Sequence, residues 1–137
     1  MALLKFIYGM QHYKTIRLRV GSGSFDALVA DTFWKRLIGL MFRDRLGRSE
    51  CMLFVFNRAG RHGIWMRNML FSIDIVWLDA ERHVVDFVER AKPCKGLSGC
   101  TTYYPRMDDM FIIEFGSGTV SRSRIGIGDI ARFRPDY

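Results

Sequence analysis

Residues 73–78 are apolar on both alternating sides of an extended chain, apart from Asp74. One side carries Ile73, Ile75 and Trp77, and the other carries Val76 and Leu78. A strand with two apolar faces is covered on both sides, so the pattern predicts a central strand of a β-sheet. Asp74 then lies on a buried face, where a carboxylate is costly unless another group pairs with it.

Other short apolar segments recur along the chain with turn signals between them. Residues 15–20 alternate between apolar and polar positions, and residues 25–30 follow after a Gly-Ser turn, which predicts a β-hairpin. Continuous apolar runs predict buried strands at 52–56 and 111–115. Further strands are predicted at 3–8, 64–66, 83–89 and 130–133.

One segment has helical spacing instead. Asp31 and Thr32 can cap a helix, apolar residues recur at three- and four-residue intervals after them, and Gly39 marks its end or a kink. The chain is therefore predicted to be all-β, an antiparallel β-sandwich or jelly-roll-like barrel with one short α-helix near residues 32–41. Its length predicts a single domain over residues 1–137.

Several short motifs, taken in order, resemble the domain of unknown function 192 family. They are GLMFR at 39–43, MLFVF at 52–56, WMRN at 65–68, IDI at 73–75, EF at 114–115 and IGIGD at 125–129. They cover the chain from about 30 to 133. Cys51 stands where the family usually has Gly, Ser72-Ile73 where it has Pro-Leu, and Arg67 where it has Lys. The resemblance implies a compact jelly-roll-like β-sandwich and brings no established activity.

The composition supports one packed core and a basic surface. Hydrophobic residues make up 49% of the chain, and the net charge is +7. Arginine dominates the cations and pairs well with carboxylate and phosphate groups, but the basic residues are spread along the whole chain. A solvated basic surface is therefore favoured, with nucleic-acid binding as an alternative. No apolar run approaches the ~20 residues of a membrane span, and no leader pattern is recognised, which predicts a cytoplasmic protein.

Two carboxylates on apolar strands are the first candidate site. Asp74 and Glu114 both need partners if they are buried, and the helix region supplies Arg36 and Arg43, with Arg67 nearby. A structural interpretation is an Arg–carboxylate clamp between helix and sheet. In a second interpretation, an Arg keeps part of its guanidinium group for an anionic ligand. Acid–base catalysis by the two carboxylates is the third.

The WMRN run at 65–68 is the second candidate. An aromatic ring, a thioether and an amide in succession can line a pocket, or Trp65 and Met66 can be core and Asn68 a turn residue. With both regions included, the candidate ligand-binding residues are Arg36, Met41, Arg43, Trp65, Met66, Asn68, Asp74 and Glu114.

The cysteines and histidines predict no metal site and no cofactor. Five residues separate Cys94 from Cys100 in a Gly-containing loop, where free thiols are favoured and a disulfide is the alternative. Cys51 is expected to be a buried small hydrophobe. The three His residues are scattered without metal-ligand spacing.

The favoured function is a non-catalytic binding module for a small polar or anionic ligand, with its pocket between the helix and residues 65–74. The first alternative is a hydrolase-like enzyme that acts on a carbohydrate or peptide-like substrate through Asp74 and Glu114. The second is a basic nucleic-acid-associated module that uses Arg58, Arg61 and Arg67. Ligand identity, oligomeric state and biological process are not predicted.

Overall fold

The structure, a computed structural model, describes residues 2–96 and 99–134. Its helices are α1 (Ala2–Met10), α2 (Phe33–Ile38) and α3 (Thr119–Arg122). Its strands are β1 (Thr15–Val20), β2 (Gly23–Ala30), β3 (Glu50–Gly60), β4 (Ile64–Trp65), β5 (Ile73–Leu78), β6 (Val84–Ala91), β7 (Thr102–Tyr103), β8 (Asp109–Gly116) and β9 (Arg132–Phe133). The predicted all-β class is confirmed.

Seven strands form one sheet in the order β6-β5-β8-β3-β2-β1-β9, and β4 pairs with β7 in a second, two-stranded sheet. Within the large sheet β2 and β3 are parallel, whereas the prediction was antiparallel throughout. The reason is the connection between them. Parallel neighbours need a crossover, and α2 with the loop after it carries the chain from the end of β2 back to the start of β3.

Each face of the large sheet buries its own hydrophobic cluster. The first core includes Leu18, Leu53, Val76, Leu78, Ile113 and Phe115. The second core includes Met52, Phe54, Ile73, Ile75, Trp77 and Ile112. All six residues of β5 are buried and alternate between the two cores, so the predicted central strand with two covered faces is confirmed.

The structure confirms the predicted helix and hairpin, each at the residues that indicated it. The side chain of Thr32 accepts a hydrogen bond from Lys35 N at 3.2 Å and caps α2. Gly39 ends that helix with a φ of 50°, a conformation that glycine adopts without strain. The hairpin of β1 and β2 pairs residue for residue from Val20 with Gly23 to Thr15 with Leu28.

The N-terminal segment corrects the prediction of a strand at 3–8. These residues lie in α1, and none of its side chains is fully buried. A short apolar run fits a strand and a helix equally well by periodicity, and here Leu3, Phe6 and Met10 share helical spacing. The structure also adds α3 after β8, where only turns were predicted.

Candidate functional site

A cavity of about 360 Å³ lies between α2 and β4, above the second core. Phe33, Leu37 and Met41 line the side of the helix and its C-terminal loop, and Ile64 and Trp65 line the opposite side. Phe54 and Glu114 contribute from the large sheet beneath. The cavity is therefore largely apolar, with a carboxyl group on its floor.

Glu114 is the unusual group of this cavity. Its cross-strand neighbours are Met52 on β3 and Ile75 on β5, so its side chain lies among apolar groups. It is only 4% exposed, and its Oε1 atom has no hydrogen-bond partner among the described residues. Burial raises the pKa of this carboxyl from 4.5 to about 8. At neutral pH the group is mainly protonated and can donate a hydrogen bond to a ligand.

Gly39 lets the end of α2 close over this carboxyl group. A Cβ atom built on Gly39 would lie 3.0 Å from Phe54 Cζ and 3.5 Å from Glu114 Oε1. The residue also has its φ in the left-handed region. Only glycine meets both conditions, so the GLMFR motif places backbone in close contact with Phe54 and Glu114, where a side chain would crowd both.

Arg36 supplies the cationic group of the cavity wall. Its Nη1 atom donates a hydrogen bond to Val55 O at 3.0 Å, and the guanidinium carbon lies 5.4 Å from the centre of the Phe56 ring. These contacts use one of its five N–H donors, and among the described residues no further hydrogen bond of this side chain is present. The guanidinium group is therefore held in place, and its other N–H donors remain available for a ligand.

Four of the eight candidate residues line the cavity together, namely Arg36, Met41, Trp65 and Glu114. The other four, Arg43, Met66, Asn68 and Asp74, lie outside its lining. The cavity thus lies between the helix and residues 65–74, where the pocket is predicted, but half of the predicted side chains are outside its lining.

Three of those four make their contacts around the cavity and not in its lining. The guanidinium group of Arg43 lies over the rings of Tyr8 and Tyr13, at 5.8 and 5.5 Å from their centres. Met66 is 1% exposed and belongs to the second core. Asn68 has a φ of 60°, which asparagine tolerates well, and its Nδ2 contacts Met41 Sδ at 3.6 Å.

Asp74 corrects the predicted Arg–carboxylate clamp. Its carboxylate accepts hydrogen bonds from the backbone N–H groups of Arg90 at 2.8 Å, Gly118 at 3.1 Å and Val120 at 2.9 Å. Backbone donors at the start of α3 thus satisfy the buried carboxylate without an arginine side chain. The function of this residue is to attach α3 and the end of β6 to the central strand.

Asp74 and Glu114 also lie on opposite faces of the sheet. In the register of β5 with β8, Asp74 is opposite Phe115, whose side chain is in the first core. Glu114 is opposite Ile75, which is in the second core. The two carboxyl groups therefore cannot act on one bond, and the proposed catalytic pair lacks a shared site.

The sequence does not predict the contacts that hold Phe56 in the cavity wall. The ring of Phe56 stacks on His62 with 3.8 Å between centres, and His62 Nδ1 lies 2.8 Å from Asp109 Oδ2. Burial raises the pKa of Asp109, while hydrogen bonds from the backbone and ring of His62 act in the opposite direction. The two partners are 47 positions apart in the sequence, so local pattern does not reveal them.

The loop after β6 contains a disulfide between Cys94 and Cys100, whose Cα atoms are 5.5 Å apart. This bond corrects the prediction of free thiols, because spacing alone does not reveal how a loop folds. Cys94 N also donates to Met66 O at 3.1 Å, so the loop is attached to the WMRN run. Cys51 is a free, buried thiol whose pKa is raised by burial.

No helix in the described ranges 2–96 and 99–134 combines the length and apolar character needed to cross a bilayer. The longest helix there, α1, has nine residues. A span requires about 20.

Comparison with known proteins adds a family and a fold. The model of the DUF192 family, described as an uncharacterized ACR, matches residues 16–133. A UPF0127 protein of Thermococcus kodakarensis is 32% identical over 107 residues, which are 78% of this chain and 64% of that protein. This chain thus spans somewhat less than two thirds of that relative.

Two crystal structures have a similar fold. One is of a protein from Sinorhizobium meliloti described as a "putative transcription regulator", with a TM-score of 0.83, 22% identity and coverage of 90% of this chain and 96% of that one. The other is of a protein of unknown function from Novosphingobium aromaticivorans, with a TM-score of 0.77 and 26% identity. It covers 88% of this chain and 84% of that one.

Proposed function

The chain belongs to the DUF192 family of uncharacterised proteins, and on that premise we propose that it is a non-catalytic module whose cavity binds a small ligand with an apolar body and an anionic or polar end. The observation that carries the proposal is Glu114 Oε1, a buried polar atom on the floor of an apolar cavity to which no described residue donates or offers a hydrogen bond. Buried polar atoms in folded proteins are nearly always hydrogen-bonded. A ligand would provide the missing partner.

The charge states of Glu114 and Arg36 determine which polar end group the ligand can carry. A protonated Glu114 donates a hydrogen bond, and Arg36 on the cavity wall donates others. A carboxylate or another oxyanion can accept a hydrogen bond from either group, whereas an ammonium group would face the charge of the arginine. The ligand is therefore proposed to carry a carboxylate or similar oxyanion.

The cavity also limits the size of the ligand. A volume of about 360 Å³ is at the lower end of ligand pockets. At roughly 30 Å³ per water-sized group, it holds on the order of a dozen non-hydrogen atoms. The apolar body contacts Phe54, Leu37 and Ile64, which suits a single aromatic ring or a short branched chain.

Binding of three matched probes, benzoate, benzyl alcohol and benzylamine, tests the proposal by ligand-observed NMR. We expect benzoate to bind best near pH 6 and to weaken about tenfold between pH 7 and pH 9, since ionised Glu114 repels it. Benzylamine that binds better than benzoate, or binding of benzoate that is independent of pH in this range, would show the assignment to be wrong.

Two leucine variants locate the binding site. Leu37→Trp fills the cavity and is expected to abolish binding. Leu70→Trp is the matched control, because Leu70 is 58% exposed and lies outside the lining. Equal loss in both variants, or retained binding in Leu37→Trp, would place the ligand elsewhere.

The cellular compartment is a second part of the proposal. Disulfides persist in oxidising compartments and are rare in the cytoplasm. The Cys94–Cys100 bond therefore favours an oxidising compartment over the cytoplasm that composition predicted.

Thiol chemistry tests this compartment. Protein alkylated at the moment of cell lysis is expected to carry a label only on Cys51, and only after unfolding. Reduction of the purified protein is expected to lower the free energy of unfolding by about 2 kcal/mol, as loop closure over so few residues implies. Three labelled thiols in protein taken from cells would refute the oxidising compartment.

A further inference from the structure

An open groove with a volume of about 700 Å³ lies at the β1–β9 end of the sheet, distinct from the ligand cavity. Five arginines line it, namely Arg17, Arg19, Arg82, Arg132 and Arg134, and we call it the arginine groove. Arg17 and Arg19 point away from the first core, because Leu18 between them is fully buried. The sequence alone favours other basic residues, Arg58, Arg61 and Arg67, which lie outside this groove.

The strand register places like charges face to face. Arg19 pairs directly with Arg132, and Leu18 pairs with Phe133. The same register, continued by one residue, places Arg17 opposite Arg134. Like charges at directly opposed positions destabilise a sheet, so this arrangement lowers stability unless something neutralises it.

Within residues 2–96 and 99–134, ion pairs neutralise only part of the charge of Arg17, Arg19, Arg132 and Arg134. Arg17 Nη1 lies 2.9 Å from Asp26 Oδ1, but both side chains are 57% exposed, and such surface pairs contribute little. For Arg19, Arg132 and Arg134 the described ranges contain no ion pair. These three arginines of the groove are therefore available to bind an anion.

One arginine completes the groove from the turn between β5 and β6. Arg82 Nη1 donates to Phe133 O at 2.6 Å, and its guanidinium carbon lies 3.8 Å from the centre of the Phe133 ring. Phe133 is 5% exposed, so its ring is used inside the protein and offers little surface for stacking on a base. The groove is suited to repeated anionic groups and not to the reading of bases.

We propose that the arginine groove binds a linear chain of phosphate groups, as in the backbone of a single-stranded nucleic acid or in inorganic polyphosphate. Residues two apart on a strand are roughly 7 Å apart, and opposed residues roughly 5 Å. Two rows of two arginines therefore present a repeating cationic surface along which successive phosphates can lie. Arginine forms bidentate contacts with each phosphate.

Fluorescence anisotropy with labelled oligothymidine, and competition by inorganic polyphosphate, tests the proposal. For four phosphate contacts we expect log K to fall with log salt concentration at a slope of roughly −3. The double variant Arg19→Gln/Arg132→Gln is expected to bind at least about tenfold more weakly at low salt, with the slope reduced to roughly −1.5. Arg58→Gln/Lys95→Gln removes the same charge outside the groove and should bind like the wild type.

The two probes distinguish the two sources of phosphate. Oligothymidine binding that polyphosphate does not displace would assign the groove to nucleic acid, and binding of polyphosphate alone would assign it to the inorganic chain. Equal affinity of the wild type and the groove variant, equal loss in the control, or binding of neither probe would overturn the proposal.

A single variant distinguishes a loss of binding from a loss of folding. Arg19→Glu would face Arg132 as an opposite charge, and it is expected to raise Tm by a few degrees at low salt while binding is lost. A purely structural role for Arg19 predicts the reverse, a lower Tm with unchanged binding.

Discussion

Replacing Asp74 with alanine is expected to lower the free energy of unfolding by about 4 kcal/mol. The substitution removes the acceptor of three backbone N–H groups, those of Arg90, Gly118 and Val120, and leaves these donors without their partner. Asp74 is fully buried, so water replaces the lost hydrogen bonds poorly. Urea unfolding followed by circular dichroism measures the change through the midpoint at constant m.

A graded series separates the hydrogen bonds from the loss of volume. Asp74→Asn keeps one oxygen, but it presents an NH₂ group either to Arg90 N or to the two N–H groups of α3, so roughly half of the effect is expected. Asp108→Ala is the control, since Asp108 is exposed. A loss below about 1 kcal/mol for Asp74→Ala would mean that these bonds contribute little, against the usual value for charged acceptors.

The second large effect concerns Glu114 and pH. Its folded-state pKa of about 8 lies above its ordinary value of 4.5, so the folded protein binds this proton more tightly than the unfolded chain does. The associated stability is fully present below about pH 4.5 and is lost as the pH rises through about 8. The total is at most about 5 kcal/mol, with a slope of up to about 1.4 kcal/mol per pH unit.

Glu114→Gln removes this titration and is expected to flatten the fall in stability between pH 5 and pH 8. The difference between wild type and variant isolates the one group, because the other titrating residues are common to both proteins. At pH 8 the variant is expected to be the more stable protein by several kcal/mol, less the cost of a buried amide. Thermal and urea unfolding at several pH values measure the difference.

Glu89→Gln is the matched control for this series, because Glu89 is exposed. It should leave the pH dependence of stability unchanged. Parallel curves for wild type and Glu114→Gln across pH 5–8 would show that the carboxyl of Glu114 ionises normally. A ligand that accepts from protonated Glu114 should increase the stability of the wild type below pH 8 and much less above it, whereas Glu114→Gln, whose amide also donates, should be stabilised equally on both sides of pH 8.

About half of the candidate site could be predicted from sequence. Arg36 and Trp65 were identified by residue type and position, and both line the cavity. Glu114 was identified because a carboxylate within an apolar run is costly to bury. Phe54 and Phe56 were assigned only to a strand, since sequence pattern does not tell which apolar side chain borders a void and which fills the core.

The partners of charged residues were the weakest part of the prediction. For Asp74 the sequence suggested arginine side chains, and the partners are backbone N–H groups 16 to 46 residues away. Backbone donors are present at every non-proline residue, so sequence carries no signal of which ones a carboxylate will meet. His62 and Asp109 were missed for the same reason.

The sequence by itself determined the β-rich class, the hairpin of β1 and β2, the capped helix that ends at Gly39 and the alternation of β5 between two cores. These features depend on neighbouring residues and on the two-residue period of a strand, which local pattern contains. Only the tertiary structure decided that β2 and β3 run parallel and that Asp74 and Glu114 lie on opposite faces of the sheet. It also decided that Arg19 pairs with Arg132 on the neighbouring strand. Strand order and register arise from contacts between residues far apart in the chain. Such contacts produce no periodic pattern in the sequence.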